Sequence, residues 1–278
     1  MIYYSLGYSP CPNDTFIFYA LVHGRIPSGD IMFREVLDDV ETLNQMARRS
    51  ELDITKVSYH ALGHLTEHYC LLRSGGALGK GCGPLVIARE ELQMKDLRGK
   101  TIAIPGLLTT AFLLLRIFDS SFGSAVAVMP FDRIVGAVRS GEVDAGLIIH
   151  ESRFTYQKEG LRKVLDLGEW WEQTTGLPIP LGGILAKREL GEVTVRRVED
   201  LVRKSIEYSR AHPQEPVSYI KRHAQELQDE VINQHIGLYV NDFSLDIGDE
   251  GVAAVEELFS RAEREGLIPR RTKPLFPS

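Results

Sequence analysis

The sequence predicts an α/β fold of two lobes, one inserted into the other, and three observations carry that expectation. Short apolar strands alternate with amphipathic helices through most of the 278 residues, which is the pattern of α/β layers with mostly parallel sheets. Two segments echo each other where a helix ends and a strand begins: Ser50-Glu51-Leu52-Asp53-Ile54 and Gly141-Glu142-Val143-Asp144-Ala145. Two more echo where an apolar strand runs into a charged helix start: Val86-Ile87-Ala88-Arg89-Glu90-Glu91-Leu92 and Ile184-Leu185-Ala186-Lys187-Arg188-Glu189-Leu190, each after a glycine-rich turn. The second pair reads as two crossover strands. On that reading lobe one is 1–88 with 187–278, and lobe two is the inserted segment 89–186.

The elements follow in order. Tyr3–Gly7 reads as a strand. Asn13 or Asp14 caps a helix through Phe16, Ile17, Tyr19, Ala20 and Leu21, stopped at Gly24. Ile31–Val36 is a strand, and Val40–Arg49 a helix with Leu43, Met46 and Ala47 on its apolar face. Leu52–Val57 is a strand. Then come Thr101–Ile104 (strand), Thr109–Phe118 (helix), Ala125–Met129 (strand), Asp132–Arg139 (helix) and Val143–Ile149 (strand). From Val195 the pattern is helical, and Val252–Arg264 closes it with Val255, Leu258, Phe259 and Ala262 at helical spacing.

Composition bounds the function. An apolar share of 44% beside 25% charged residues is that of a globular protein with a sizeable core. The length suits about two domains. A net charge of −6 with no basic block argues against nucleic acid, because phosphate binding needs clustered Lys and Arg. Three cysteines make no disulfide framework, so a reducing, cytoplasmic setting is expected. Met1–Leu6 has no basic n-region and no long apolar h-region. The apolar run Ala111–Leu115 is broken by Arg116, far short of the ~18 residues of a membrane span, so no membrane insertion is expected.

Ligands of open α/β sheets sit outside the carboxyl ends of strands, so the residues just after strands matter most. After the first strand, Ser9-Pro10-Cys11-Pro12-Asn13-Asp14-Thr15 opens a helix. Its free N–H groups either hold an anion or are capped by Asn13 and Asp14. Cys11 has no identifiable His partner and reads as a structural thiol. Lys56-Val57-Ser58 ends another strand and offers a cation and a hydroxyl. Pro105-Gly106-Leu107-Leu108-Thr109-Thr110 puts two hydroxyls at a helix start, an anion site or a plain cap, without the Gly-Lys-Ser/Thr of a Walker loop. His150 follows the strand Val143–Ile149 and is either a general base or a structural histidine. His60, His64 and His68 share a helical face at i, i+4 and i+8. His-Leu-Thr-Glu-His is not His-Glu-x-x-His, and Cys70 and Cys82 form no Cys-x-x-Cys, so a half-exposed face is expected and no metal site.

Ser9-Pro10-Cys11-Pro12-Asn13-Asp14-Thr15-Phe16, Lys56-Val57-Ser58, His150-Glu151 and Gly176-Leu177-Pro178-Ile179-Pro180-Leu181-Gly182-Gly183 together resemble the 1,4-dihydroxy-6-naphthoate synthase family of the futalosine route to menaquinone. The resemblance covers nearly the whole chain, and the Ser-Pro-Cys-Pro-Asn-Asp segment is its most specific part. It implies the two-lobed, periplasmic-binding-protein-like (type II) fold with a central cleft. It implies a carbon–carbon lyase that converts cyclic dehypoxanthine futalosine, a carboxylate, into 1,4-dihydroxy-6-naphthoate and a dihydroxyacetone-type fragment. His150 would be the proton acceptor, and Lys56, Val57, Ser58, Thr109 and Thr110 the substrate contacts, joined at the first helix start by Asn13 and Asp14. No metal or organic cofactor is implied.

Two other readings stay open at this stage. One is the chorismate dehydratase of the same pathway, on the same fold. The other is a non-catalytic protein that binds small carboxylates. The partner expected in every case is a small-molecule carboxylate, and the sequence leaves a homodimer open.

Overall fold

The computed structural model describes residues 1–224 and 228–277. The strands in chain order are β1 (Ile2–Tyr8), β2 (Ile31–Leu37), β3 (Ile54–Ser58), β4 (Tyr69–Leu71), β5 (Ala77–Gly79), β6 (Leu85–Ala88), β7 (Ile102–Ile104), β8 (Val126–Val128), β9 (Ala145–Ile148), β10 (Arg162–Asp166) and β11 (Ile179–Lys187). They form two sheets. The first runs β2-β1-β3-β11-β4, with β5 also paired to β11; the second runs β10-β6-β9-β7-β8.

The parallel pairing expected from the alternation holds only in part. β1 is parallel to β2 and β3, and β7 is parallel to β8 and β9. β11 is antiparallel to β3, β4 and β5, and β6 is antiparallel to β9 and β10. The reason is connectivity. β6 and β11 bring the chain across from the other sheet, so each enters against the direction of its βαβ neighbours. The same pairing shows where the chain changes lobe. Leu85–Ala88 belongs to the second sheet and Ile179–Lys187 to the first. Boundaries at 88 and 186 therefore leave both strands in the wrong half: each echo marks a strand already in its new sheet.

Two cores support this frame. In the first lobe, Leu6 and Tyr8 of β1 pack with Ile17 and Phe18 of the helix Pro12–Val22 and with Val195, Val198, Val202 and Ile206 of the long helix Glu192–Ala211. Fully burying each such side chain stabilises by about 1.5–3 kcal/mol. Ser205 and Ser209 fix the helix pair, donating to the carbonyls of Ile17 and Phe16 at 2.6 and 2.9 Å. A second core spans the lobes. Phe112–Leu115 of the helix Thr110–Phe118 share it with Tyr59 and with Val255, Leu258, Phe259 and Ala262 of the helix Gly248–Arg264. Near the entry to β6, Gly83 and Gly168 touch: a Cβ on Gly83 would lie 2.3 Å from the Gly168 backbone.

The shared helical face of His60, His64 and His68 does not form. The helix there is only Tyr59–Leu62, His60 is buried, and His64 and His68 are exposed on the turns that follow. Gly63 packs on Ile268, and after Leu62 the chain closes i, i+3 turns instead of a second helical turn, His64 N donating to Ala61 O at 2.9 Å and Leu65 N to Leu62 O at 2.8 Å. Among the described residues, no helix is long and apolar enough to cross a membrane.

Candidate active site

Asn13, Asp14, Lys56, Val57, Ser58, Thr109, Thr110 and His150 all line one cavity of about 90 Å³ between the two sheets. Four chain segments deliver them: the start of the helix Pro12–Val22, the end of β3, the start of the helix Thr110–Phe118 and the turn after β9. His150 sits at φ 57°, in the left-handed region that few side chains other than glycine enter. This tight turn directly after β9 points the imidazole into the cleft. Burial pushes His150 below the usual imidazole range, against an opposing pull from Glu151. At neutral pH the ring is therefore an unprotonated base.

The first helix start serves as a scaffold. Lys56 Nζ is paired with Asp14 Oδ1 at 2.8 Å, both side chains almost wholly buried. Ser9 Oγ donates to Asp14 Oδ2 at 2.7 Å, and Asn13 Nδ2 donates to Asp14 Oδ1 at 2.8 Å. A carboxylate can only accept, so the Asn13 amide has one orientation and its Oδ1 is left as an acceptor. His235 Nε2 reaches that oxygen at 2.9 Å, so Nε2 carries the hydrogen and Nδ1 the lone pair. Lys56 is thus a compensated cation. Asn13 and Asp14 set the tautomer of a histidine 222 residues away.

The second helix start is also engaged. Thr109 caps the helix, accepting from Phe112 N at 3.3 Å and donating to Gly106 O at 2.8 Å. Thr110 Oγ1 donates to Leu181 O at 2.5 Å and accepts from Tyr59 N at 2.9 Å. Both hydroxyls are spent on protein groups, so an anion there would be held by the helix N-terminus and its N–H groups. Ser58 Oγ accepts from Asn44 Nδ2 at 3.3 Å, which leaves its own proton to donate into the cavity. Asn44 Nδ2 also reaches Leu108 O at 3.4 Å, and Glu41 Oε2 accepts from Leu108 N at 3.3 Å, so the helix Val40–Arg48 latches the lobes beside the site.

Several participants were not among the expected residues. His235 and Tyr239 line the cavity from the helix Asp229–Tyr239. His235 is fully buried and stacks on His150 at 6.3 Å. The i, i+4 spacing of His235 and Tyr239 was a readable sign of a shared face, but no strand end pointed to it. Cys11, expected to lack a partner, has one: its Sγ lies 3.6 Å from His150 Nδ1. Burial pushes that thiol well above its ordinary range. With Nδ1 against Cys11, Nε2 of His150 is the nitrogen left for the cavity. Cys11, His150 and Glu151 each bring one ligand atom within 4.8 Å of the others, so this is where the described residues could hold a metal ion.

A family described as Menaquinone biosynthesis matches residues 4–264. A Thermus thermophilus protein named "1,4-dihydroxy-6-naphtoate synthase" is 54% identical over 98% of this chain and 98% of its own. A Streptomyces coelicolor protein of the same name is 51% identical over 95% of this chain and 94% of its own. Among solved structures, a Candida albicans protein described as exhibiting the generic periplasmic binding protein structural fold superposes with a TM-score of 0.72 at 14% identity, over 98% of this chain and 92% of that one. That last likeness shows the fold: a two-lobed, periplasmic-binding-protein-like α/β architecture.

Proposed function

The chain belongs to the menaquinone-biosynthesis family, and from that premise we propose that it is a cytoplasmic 1,4-dihydroxy-6-naphthoate synthase, a carbon–carbon lyase with His150 as its general base. The substrate is cyclic dehypoxanthine futalosine, and the products are 1,4-dihydroxy-6-naphthoate and a dihydroxyacetone-type fragment. The observation that carries the reading is a histidine held neutral by burial, on the wall of the one cavity that gathers every expected contact residue.

Neutral His150 takes a proton from the substrate through Nε2. The electron pair released breaks the carbon–carbon bond next to a carbonyl, and aromatisation of the remaining ring drives the step. The proton held on His150 then returns to the departing fragment, so the reaction needs no net proton. The substrate carboxylate lies at the start of the helix Thr110–Phe118, with Ser58 donating its free proton. Asp14 neutralises Lys56, so binding there depends on local dipoles more than on a free charge. Closing the lobes excludes water and orients the substrate against the base.

The test is incubation of the purified chain with cyclic dehypoxanthine futalosine, reading 1,4-dihydroxy-6-naphthoate by mass. A parallel incubation with chorismate should leave it unconsumed. Chorismate loss, or tight binding of the naphthoate without turnover of the futalosine derivative, would overturn the proposal.

A further inference from the structure

Behind His150 the side chains of Cys11, Glu151 and His235 gather into a buried knot. Cys11 Sγ is 3.6 Å from His150 Nδ1, and these two groups with Glu151 hold their ligand atoms within 4.8 Å of one another. His235 Nδ1 faces Glu151 Oε2 at 3.9 Å. Neither of those two atoms has a hydrogen-bond partner, although His235 is 0% and Glu151 only 8% exposed. A thiol–imidazole hydrogen bond accounts for the first pair alone. It leaves two buried acceptors facing each other at 3.9 Å, which is costly unless a cation or a donor joins them.

The spacing fits a metal. Zinc bonds of about 2.3 Å to sulfur and 2.0–2.1 Å to nitrogen, at a tetrahedral angle, set sulfur and nitrogen about 3.6 Å apart. That is the Cys11–His150 separation. His235 also meets the usual requirement of a ligating histidine, because its other nitrogen donates to a fixed acceptor, Asn13 Oδ1 at 2.9 Å.

We propose that Cys11, His150 and Glu151, with His235 drawing in beside Glu151 as a fourth ligand, form a site for a thiophilic divalent cation of the zinc class, and that filling it switches off the base. On binding, the thiol releases its proton to solvent and the thiolate bonds the ion. The ion takes one carboxylate oxygen and the lone pair at Nδ1 of His235, and it bonds Nδ1 of His150 once the hydrogen there has moved to Nε2. Thiolate and carboxylate together balance the charge of the ion, and the nearby Lys56 is already neutralised by Asp14. An imidazole bound through Nδ1 carries its hydrogen on Nε2, the nitrogen His150 presents to the cavity, so it accepts no further proton. The binding half of the inference stands without the lyase reading, whereas the loss of turnover rests on it.

The experiment titrates the chelator-treated whole chain with Co²⁺, then with Zn²⁺. One equivalent of Co²⁺ should give a thiolate-to-cobalt charge-transfer band that Zn²⁺ abolishes. Cys11→Ala should lose the band, and Glu151→Gln should keep it with at least tenfold weaker binding, circular dichroism confirming both folds. One equivalent of Zn²⁺ should lower turnover more than tenfold, with recovery on adding chelator. No band in the wild type, or a band that survives Cys11→Ala, overturns the site. Turnover unchanged with the site filled overturns the switch. A metal-free wild type without turnover counts against the lyase reading and leaves the cobalt result to decide the site.

Discussion

His60, His150 and His235 are all held neutral by burial, and this gives the molecule's stability and its rate a common acid limit. Each has a folded pKa below the unfolded value of about 6.5. The unfolded chain therefore binds more protons below that pH, and stability present above pH 6.5 is lost as the pH falls through the folded values. His60, lowered to about 4, carries roughly 3 kcal/mol of this by itself. The urea midpoint should therefore be lower at pH 5 than at pH 7, and His60→Gln should shrink the difference. The rate obeys the same sign. Turnover needs neutral His150, so the acid limb of kcat/KM should lie below pH 6.5, and a limb above 7 would exclude this base. His150→Ala should lower turnover by about 10²–10⁴-fold with the fold intact by circular dichroism. Lys56→Met leaves Asp14 buried and unpaired, at a cost of about 3–5 kcal/mol in chemical denaturation, much of it recovered when Asp14→Asn is added.

Strand ends and helix starts place the site, and their legibility varied with how local their causes were. β7 and β9 were readable as runs of apolar and small residues, and β1 and β3 from the apolar residues that recur along them. The residues after them reached the cleft for the same reason. β4, β5 and β10 were not recognised, since strands of three to five residues paired at an edge carry little signal of their own. The helix expected to align His60, His64 and His68 gives way after Leu62 to tight turns that pack against Ile268, some 200 residues away in sequence. The Gly83–Gly168 approach is of the same long-range kind. Gly83→Ala forces a methyl group onto the Gly168 backbone and should cost about 1–3 kcal/mol or more, read as a fall in Tm. An unchanged Tm would mean that the two segments can separate freely.

The whole molecule is latched around a small site. A cavity of about 90 Å³ is well below the ~300 Å³ of an ordinary ligand pocket, so the substrate proposed above should enter only when the lobes part. The latch between Glu41, Asn44 and Leu108 must open with them. A Cβ on Gly106 would lie 2.6 Å from Glu41 Cγ, so Glu41→Cys with Gly106→Cys places two thiols across that seam. Oxidising the pair should abolish turnover and reduction should restore it. Full activity in the oxidised protein would show that the substrate needs no lobe opening.

By itself the sequence determined the α/β class, the two-lobed plan and the residues that reach the cleft from strand and helix ends. The class and the cleft residues follow from hydrophobic periodicity and caps within about ten residues of chain, and the two-lobed plan from echoes between segments about a hundred residues apart and from the family resemblance. Only the tertiary structure decided that the crossover strands run antiparallel, that Lys56 is neutralised by Asp14, and that His150 stands between Cys11 and His235. These outcomes rest on contacts between segments 42 to 222 residues apart. Burial and pairing across such distances depend on how the two lobes close, and no local pattern encodes that. Lys56 is the plainest case: at a strand end it read as a cation offered to a ligand, whereas the folded chain uses that charge to hold its own carboxylate and, through it, the tautomer of His235.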